Sequence, residues 1–370
     1  MEPVLIILLV LFGAISLVSL IVFGCDLVPA LLTWLGRIGM GRYADEAAWR
    51  AAAEKKALQW LKKMPPLPVT DQTHYTILPR LKGRYYNAHF VCWQQAALLL
   101  GMEQSPEAKV LTRSFFDKSD VLRAPYTIGN AMLLYALLKN GYADDPAVKQ
   151  AAQRYAEEML ASAGSGTLPY RPNGVHRFVD TLGMACPFLT EYALRFDCPD
   201  ALALVKRQFD EFDAVGLHPV SGMPVHCFHA QHHAPLGLYG WGRGCGWYAM
   251  ALAECFELLE GKDEYAAVLR QRMERLADDL LALQNENGSF NCILGADTRA
   301  DSSATAVLGW FLARAGRTEA AQKAKRYLMS VTRRSGEVDF AQGDTMGEGN
   351  YSRRFEPLPF AQGFALRIGK

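Results

Sequence analysis

Helical periodicity runs along almost all of this 370-residue chain, interrupted at intervals by one kind of connection. Apolar residues return at helical spacing over 88–100, 107–117, 128–139, 146–162, 179–196 and 200–212. They do so again over 246–259, 264–284, 303–315, 318–332 and briefly over 360–366. An earlier helix over 43–63 stops at the breaker Pro65-Pro66-Leu67-Pro68. No long alternating run of β-branched residues marks a sheet. Three connections share a pattern of glycine turn, short extended piece, loop and apolar helix. They begin at Gly166, Gly222 and Gly288 and lead to helices at Asp180, Arg243 and Ser303, spacings of 14, 21 and 15 residues. A helical hairpin repeated in this way buries its apolar faces by stacking on its own copies. Six such hairpins closed into a ring form an (α/α)6 barrel, with the long loops and the inner-helix N-termini around one mouth. Those N-termini carry partial positive charge and favour anionic ligands. The expected class is all-α, with an open solenoid as the structural alternative.

Half of the residues are apolar, enough for a large core, and the net charge of +1 comes with dispersed basic residues. A nucleic-acid surface needs a basic patch or stripe, which this chain lacks. Eight scattered cysteines without a close CxxC pair give neither a disulfide framework nor a zinc signature, and suit a reducing compartment. The N-terminus reads differently from the rest. Val4 to Phe23 is twenty residues without a charge, long enough to cross a bilayer as a helix. No basic residue precedes it, as a cleaved signal peptide would require. The basic residues follow it, at Arg37, Arg42, Arg50, Lys55 and Lys56, so the positive-inside rule puts the large domain in the cytoplasm. The expected division is a single-pass membrane anchor over 1–36 and a barrel domain over 43–370.

Candidate chemistry gathers at the repeated connections. Gly240-Trp241-Gly242-Arg243-Gly244-Cys245-Gly246-Trp247 packs four glycines, two indoles and a guanidinium ahead of an apolar helix. Glycine permits close backbone approach, and a planar cation between indoles suits a carboxylate on an apolar-faced ring, the form of a sugar acid. The plainer reading is a helix start in which Trp fills the core and Arg caps a carbonyl. Asp180 opens an apolar helix. It is either a first-turn cap or a carboxyl group raised in pKa by apolar walls, as a general acid requires. His226 occupies the equivalent extended piece of the next repeat, with His229, His232 and His233 behind it. Zinc held by His226 with Cys245 or Cys292 is one use of that cluster; a polar ligand contact by His226 is the other, and the one favoured for a loop. Asp301 with Ser302, Ser303 and Thr305 reads as a cap, and Asp297, Asp339 and Glu356 are further loop acids.

In this order, Val179-Asp-Thr-Leu-Gly-Met-Ala-Cys-Pro-Phe188, Gly222-Met-Pro-Val-His226 and Trp241-Gly-Arg-Gly-Cys-Gly-Trp247 resemble segments of glycoside hydrolase families 88 and 105. Asp301-Ser-Ser-Ala-Thr-Ala306 and Leu358-Pro-Phe-Ala-Gln-Gly363 fit as well, so the likeness runs from about Trp60 to the end. These families are the unsaturated glucuronyl and rhamnogalacturonyl hydrolases. The resemblance implies an (α/α)6 barrel that removes a 4,5-unsaturated uronic acid from acidic oligosaccharides, without metal or cofactor. It makes Asp180 the acid/base and His226, Trp241, Arg243 and Trp247 the residues that hold the sugar, Arg243 pairing with its carboxylate. A non-catalytic, glycan-binding barrel of the same fold is the alternative. Three positions depart from the family pattern. Where a second aspartate is usual this chain reads Leu122-Arg-Ala-Pro-Tyr-Thr-Ile128, the nearest acid being Asp120. Cys245 replaces an asparagine. The family histidine ahead of the acid has only Tyr170, Arg171 or His176 nearby.

Overall fold

Apolar residues on nearly every face require a helix to be surrounded, and six helices of this chain are. The computed structural model describes all residues except 1, 88–91, 104, 119–121, 346 and 370. After α1 (Glu2–Gly36) come α2 (Glu46–Lys62), strand β1 (Leu67–Pro68), the short α3 (Ile77–Leu81) and β2 (Tyr86–Asn87). Next are α4 (Cys92–Gly101), α5 (Pro106–Lys118), α6 (Ile128–Leu137), α7 (Pro146–Ala163), β3 (His176–Phe178), α8 (Val179–Phe196) and α9 (Pro199–Glu211). The chain continues with β4 (Val225–His229), β5 (Ala234–Tyr239), α10 (Gly242–Leu259), α11 (Tyr265–Leu283), α12 (Ser302–Arg314) and α13 (Thr318–Ser330). It closes with β6 (Ala341–Gln342), β7 (Phe355–Glu356) and α14 (Pro359–Arg367).

Helices α4, α6, α8, α10, α12 and α14 pack each on the next, and α14 packs back on α4. The ring is closed, so the barrel and not the open solenoid is the fold. The outer layer is amphipathic: α13, for example, buries Ala320, Ala321, Ala324, Lys325 and Leu328 and leaves its other face to solvent. Outer α7, α9, α11 and α13 lie against α6, α8, α10 and α12, and α2 packs on α14 and α4.

The expected helix at 246 starts four residues earlier, at Gly242, because Trp241 takes the flanking position. The extended pieces also pair, which the sequence reading did not anticipate. β3, β4 and β5 form an antiparallel sheet, with His176 opposite His229 and Phe178 opposite Cys227. Strands of two to six residues are too short for alternation to register as a pattern.

Ring closure depends on a crossing without side chains. A Cβ placed on Gly363 of α14 would lie 2.1 Å from the Ala97 carbonyl oxygen of α4, and one on Gly101 would lie 2.4 Å from the Gly363 oxygen. Backbone cannot yield as a flexible side chain can. Gly363→Ala should therefore cost about 3 kcal/mol, the upper part of the usual overpacking range, by separating the first and last inner helices. Gly166→Ala, whose nearest new contact is at an ordinary 3.6 Å, is the matched control. Equal denaturant midpoints for the two variants would show that the crossing can adjust.

Candidate active site

The loops before α8, α10 and α14 meet over the inner-helix N-termini, and they bring the candidate residues together from distant parts of the chain. Asp180 sits in the first turn of α8, buried, after β3 has delivered the chain to the mouth. Its Oδ2 is buried and has no hydrogen-bond partner among the described residues. Burial raises the carboxyl pKa to about 7; a neighbouring Asp344 adds to the rise and Arg243 opposes it. A carboxyl group so placed holds its proton near neutrality, as a general acid requires.

His226 lies at 3.6 Å from that carboxylate, Nε2 to Oδ2, and is almost wholly buried. Burial, with help from the Arg243 charge, depresses its pKa to about 3, so the imidazole is neutral across the physiological range. Its Nδ1 is 3.1 Å from the Tyr351 hydroxyl, which accepts the Leu238 N–H at 3.0 Å. When the Tyr351 O–H donates to Nδ1, the imidazole N–H is left on Nε2, toward Asp180. The Trp241 ring packs on His226, centroids 4.6 Å apart, and its indole N–H donates to Gln342 Oε1 at 3.0 Å.

Arg243 is also buried, 5.0 Å from the Trp241 ring. Its guanidinium donates to the Gln342 carbonyl (2.6 Å), the Gly343 carbonyl (2.8 Å) and Ser303 Oγ (3.2 Å). Two of its five N–H donors thus fasten the 342–344 loop, and a third ties it to the start of α12. Asp301 caps α12 as its sequence suggests, accepting from Ser303 N at 2.8 Å, and it also takes the Gln342 N–H at 2.9 Å. Both of the readings considered for the glycine-rich segment therefore find support in this geometry: a capping arginine and a cation beside indole and acid. The glycines serve helix packing. A Cβ on Gly246 would stand 2.2 Å from Val307 Cγ1 of α12, and one on Gly183 would stand 2.8 Å from the Trp247 ring.

Of the four expected sugar contacts, His226, Trp241 and Arg243 gather around Asp180 and Trp247 does not. Trp247 points into the core, where it meets Trp93 at 5.6 Å and Phe360 at 4.8 Å and is 1% exposed. It stands four residues after Arg243 on α10, about one turn and roughly 6 Å further along the helix from the mouth. The histidines behind His226 do not join the site either. They lie on the β4–β5 hairpin, His229 against His232 (centroids 4.4 Å) and against His176 (5.7 Å). Cys245 is buried against Met223 and Cys292 is buried in the connection to α12. No group of three or more potential metal ligands gathers among the described residues.

One group escaped the sequence reading. Asp344 is half-buried, its N–H bound to the Pro68 carbonyl at 2.8 Å and its Oδ1 accepting from Thr345 N at 2.9 Å. Burial raises its pKa, against the pull of Arg243. A signal existed, because Gly336 begins a fourth glycine-turn connection that runs through Asp344 to α14. Of the three residues near the family histidine's position, Tyr170 is the one set beside the acids. Its ring packs on Phe178 at 4.8 Å, and burial, reinforced by Asp180 and Asp344, holds its hydroxyl in the protonated form. His176 instead lies 3.5 Å from Glu348. The Ala124 carbonyl accepts from Arg154 at 2.7 Å. Asp120 lies outside the described residues.

A closed ring of six helical hairpins with an acid at the mouth is the architecture of the six-hairpin glycosidases, and sequence places the chain within that class. The profile of Glycosyl Hydrolase Family 88 matches residues 107–354, and the chain belongs to that family. It is a glycoside hydrolase. It is 26% identical over 260 residues to the unsaturated rhamnogalacturonyl hydrolase YesR of Bacillus subtilis, an alignment covering 65% of this chain and 74% of that protein. Solved structures agree on the fold. A possible GH105 member from Salmonella enterica serovar Paratyphi A superposes with a TM-score of 0.72 at 18% identity, covering 88% of this chain and 94% of that one. A family 88 hydrolase from Bacteroides vulgatus gives 0.60 at 15% identity, covering 85% and 97%.

Proposed function

We propose that this chain removes a 4,5-unsaturated uronic acid from the end of acidic oligosaccharides by hydrating its C4=C5 bond. The observation that carries the reading is the buried carboxyl group of Asp180, its pKa near neutrality and one oxygen unengaged, beside a neutral imidazole and a buried guanidinium. Ordinary glycosidases flank the scissile bond with two carboxyl groups that divide the work. Vinyl-ether hydration needs one that works twice. The Asp180 carboxyl gives its proton to C4, a water oxygen bonds to C5, and the water's proton returns to the Asp180 carboxylate. The C5 hemiketal then opens and releases the rest of the saccharide from C1. Arg243 supplies the positive field for the sugar carboxylate, and its two remaining N–H donors are available to it. Trp241 and His226 form the wall, and His226 Nε2–H orients Asp180 or the sugar. Trp247 supports this wall from the core. The non-catalytic alternative draws on the absent family aspartate, but Asp344 supplies a second carboxyl group near enough to raise the pKa of Asp180.

Incubation with unsaturated disaccharides from several polysaccharide lyases tests the reaction directly. Loss of the ultraviolet band of the C4=C5 enol ether is expected on at least one of them; persistence on all would favour binding without turnover. The pH dependence tests the assignment within the site. The active form holds the Asp180 proton, so kcat/KM should fall as pH rises through about 7. Asp344→Asn removes a negative neighbour and lets Asp180 ionise more readily, so that limb should move to lower pH. An unmoved limb would separate Asp344 from the proton chemistry.

α1 is the one described helix long and apolar enough to cross a membrane. We read it as a retained single-pass anchor, with the barrel on the cytoplasmic side, because the basic residues follow the span.

A further inference from the structure

The anchor is bolted to the barrel at two levels. Near its end, Arg37 reaches the fully buried Asp339, Nε to Oδ2 at 2.8 Å, and donates to the Phe355 carbonyl at 2.8 Å. Lower down, Asp26 accepts from Tyr75 N at 2.5 Å, Thr76 N at 2.9 Å and Thr76 Oγ1 at 2.6 Å. These bonds pin the start of α3 to the side of α1. Asp26 is the first charge after the twenty-residue uncharged span, three residues past Phe23. At about 1.5 Å per residue the span matches the hydrocarbon thickness and puts Asp26 a few ångströms beyond it, among the headgroups.

The segment held there is unusual for a soluble surface. Tyr75, Leu78 and Leu81 are 76%, 55% and 79% exposed. Lys82 and Arg84 beside them are exposed too, and between 71 and 87 the only acid is Asp71. Apolar tips with a basic flank, fixed at headgroup depth, are the composition of an interfacial anchor. Resting on the reading of α1 as a membrane span, we propose that Tyr75, Leu78 and Leu81 enter the headgroup–acyl boundary of the leaflet that α1 leaves at Asp26, with Lys82 and Arg84 on lipid phosphates. The occupant of this face is the bilayer itself, because α1 already passes through it at the same level.

The contact bears on the site. β1 and β2 flank the segment, and the Pro68 carbonyl of β1 holds Asp344 N. Arg37 holds Asp339 in the loop that leads to Gln342 and Gly343, the carbonyls bound by Arg243. The docked segment and the anchor's base thus grip the same site loop from two sides. The mouth is set at the membrane surface, where it meets saccharide lying on or attached to that surface.

The experiment uses the full chain in vesicles of zwitterionic lipid, with and without anionic phosphatidylglycerol. Nitroxide labels are placed by Phe12→Cys, Leu78→Cys, Leu81→Cys and, as an aqueous control on outer α11, Val268→Cys. The partly exposed Cys25, Cys92 and Cys198 are first replaced by alanine. Collision with oxygen against a polar nickel chelate reports depth. The expected pattern is lipid-like accessibility at 12, boundary-like accessibility at 78 and 81 that deepens with anionic lipid, and water-like accessibility at 268. Lipid at 12 with water at 78 and 81 would overturn the docking and leave the anchor standing. Water at 12 would overturn both. Labels at 78 and 81 shielded from both colliders would indicate a second protein surface, and would also overturn it.

Discussion

Asp180→Asn should abolish turnover while making the protein more stable at neutral and alkaline pH. The first effect follows from the double use of one carboxyl group. A positioned proton-transfer group contributes up to about 10^4-fold, and asparagine can neither give the proton to C4 nor accept one from water. The second follows from linkage. The folded pKa of about 7 stands above the unfolded value near 4, because burial penalises the carboxylate. Below about pH 4 both states are protonated and the site costs nothing. As pH rises from 4 to 7 the unfolded chain gives up a proton that the fold retains, and stability falls, on the order of 3–4 kcal/mol when ionisation is complete. Asparagine carries no charge and escapes that penalty. A steady-state assay and melting curves at pH 5 and pH 8 check both halves. Activity within tenfold of wild type would remove Asp180 from the chemistry. A melting point lower than wild type at pH 8 would mean that the fold needs the carboxylate itself.

How much of this was readable in the sequence depends on whether a residue's partner is local. The inner helices announce themselves because an all-apolar helix has one place to go, and the bounds of α8 were legible to the residue. Asp180 and Arg243 were legible because each sits at a helix start, where neighbouring residues fix orientation. The packing of Trp247 on Trp93 and Phe360 was not legible, because it depends on how α10 sits beside α4 and α14, and no local pattern encodes that. Asp344 was missed for the opposite reason. It stands in a loop without periodicity, and its significance comes from Pro68 and Arg243, 276 and 101 positions away. The pairing of β3 with β4 likewise joins segments about 50 residues apart that are each too short to carry a signal.

Arg243→Met should be the most damaging substitution at the mouth for stability and activity together. Arg243 is the cation that opposes the raised pKa values of Asp180, Asp301 and Asp344 alike. Methionine fills similar volume, but it leaves the Gln342 and Gly343 carbonyls without their donor and three acids without their neutralising neighbour. Removing one partner from a buried charge cluster costs about 3–5 kcal/mol. Denaturant unfolding measures that cost. Turnover should fail as well, since the loop carrying Asp344 loses its fastening and the sugar carboxylate loses its field. Two further variants divide the causes. Arg243→Lys restores the charge but not the planar fork, so it should recover the pH limb of Asp180 and not the loop's rigidity. Asp344→Asn combined with Arg243→Met removes one of the stranded acids, so the pair should be more stable than Arg243→Met alone, with a coupling of about 1–3 kcal/mol. Strict additivity would show that Arg243 acts through the two carbonyls alone and that Asp344 lies outside its field.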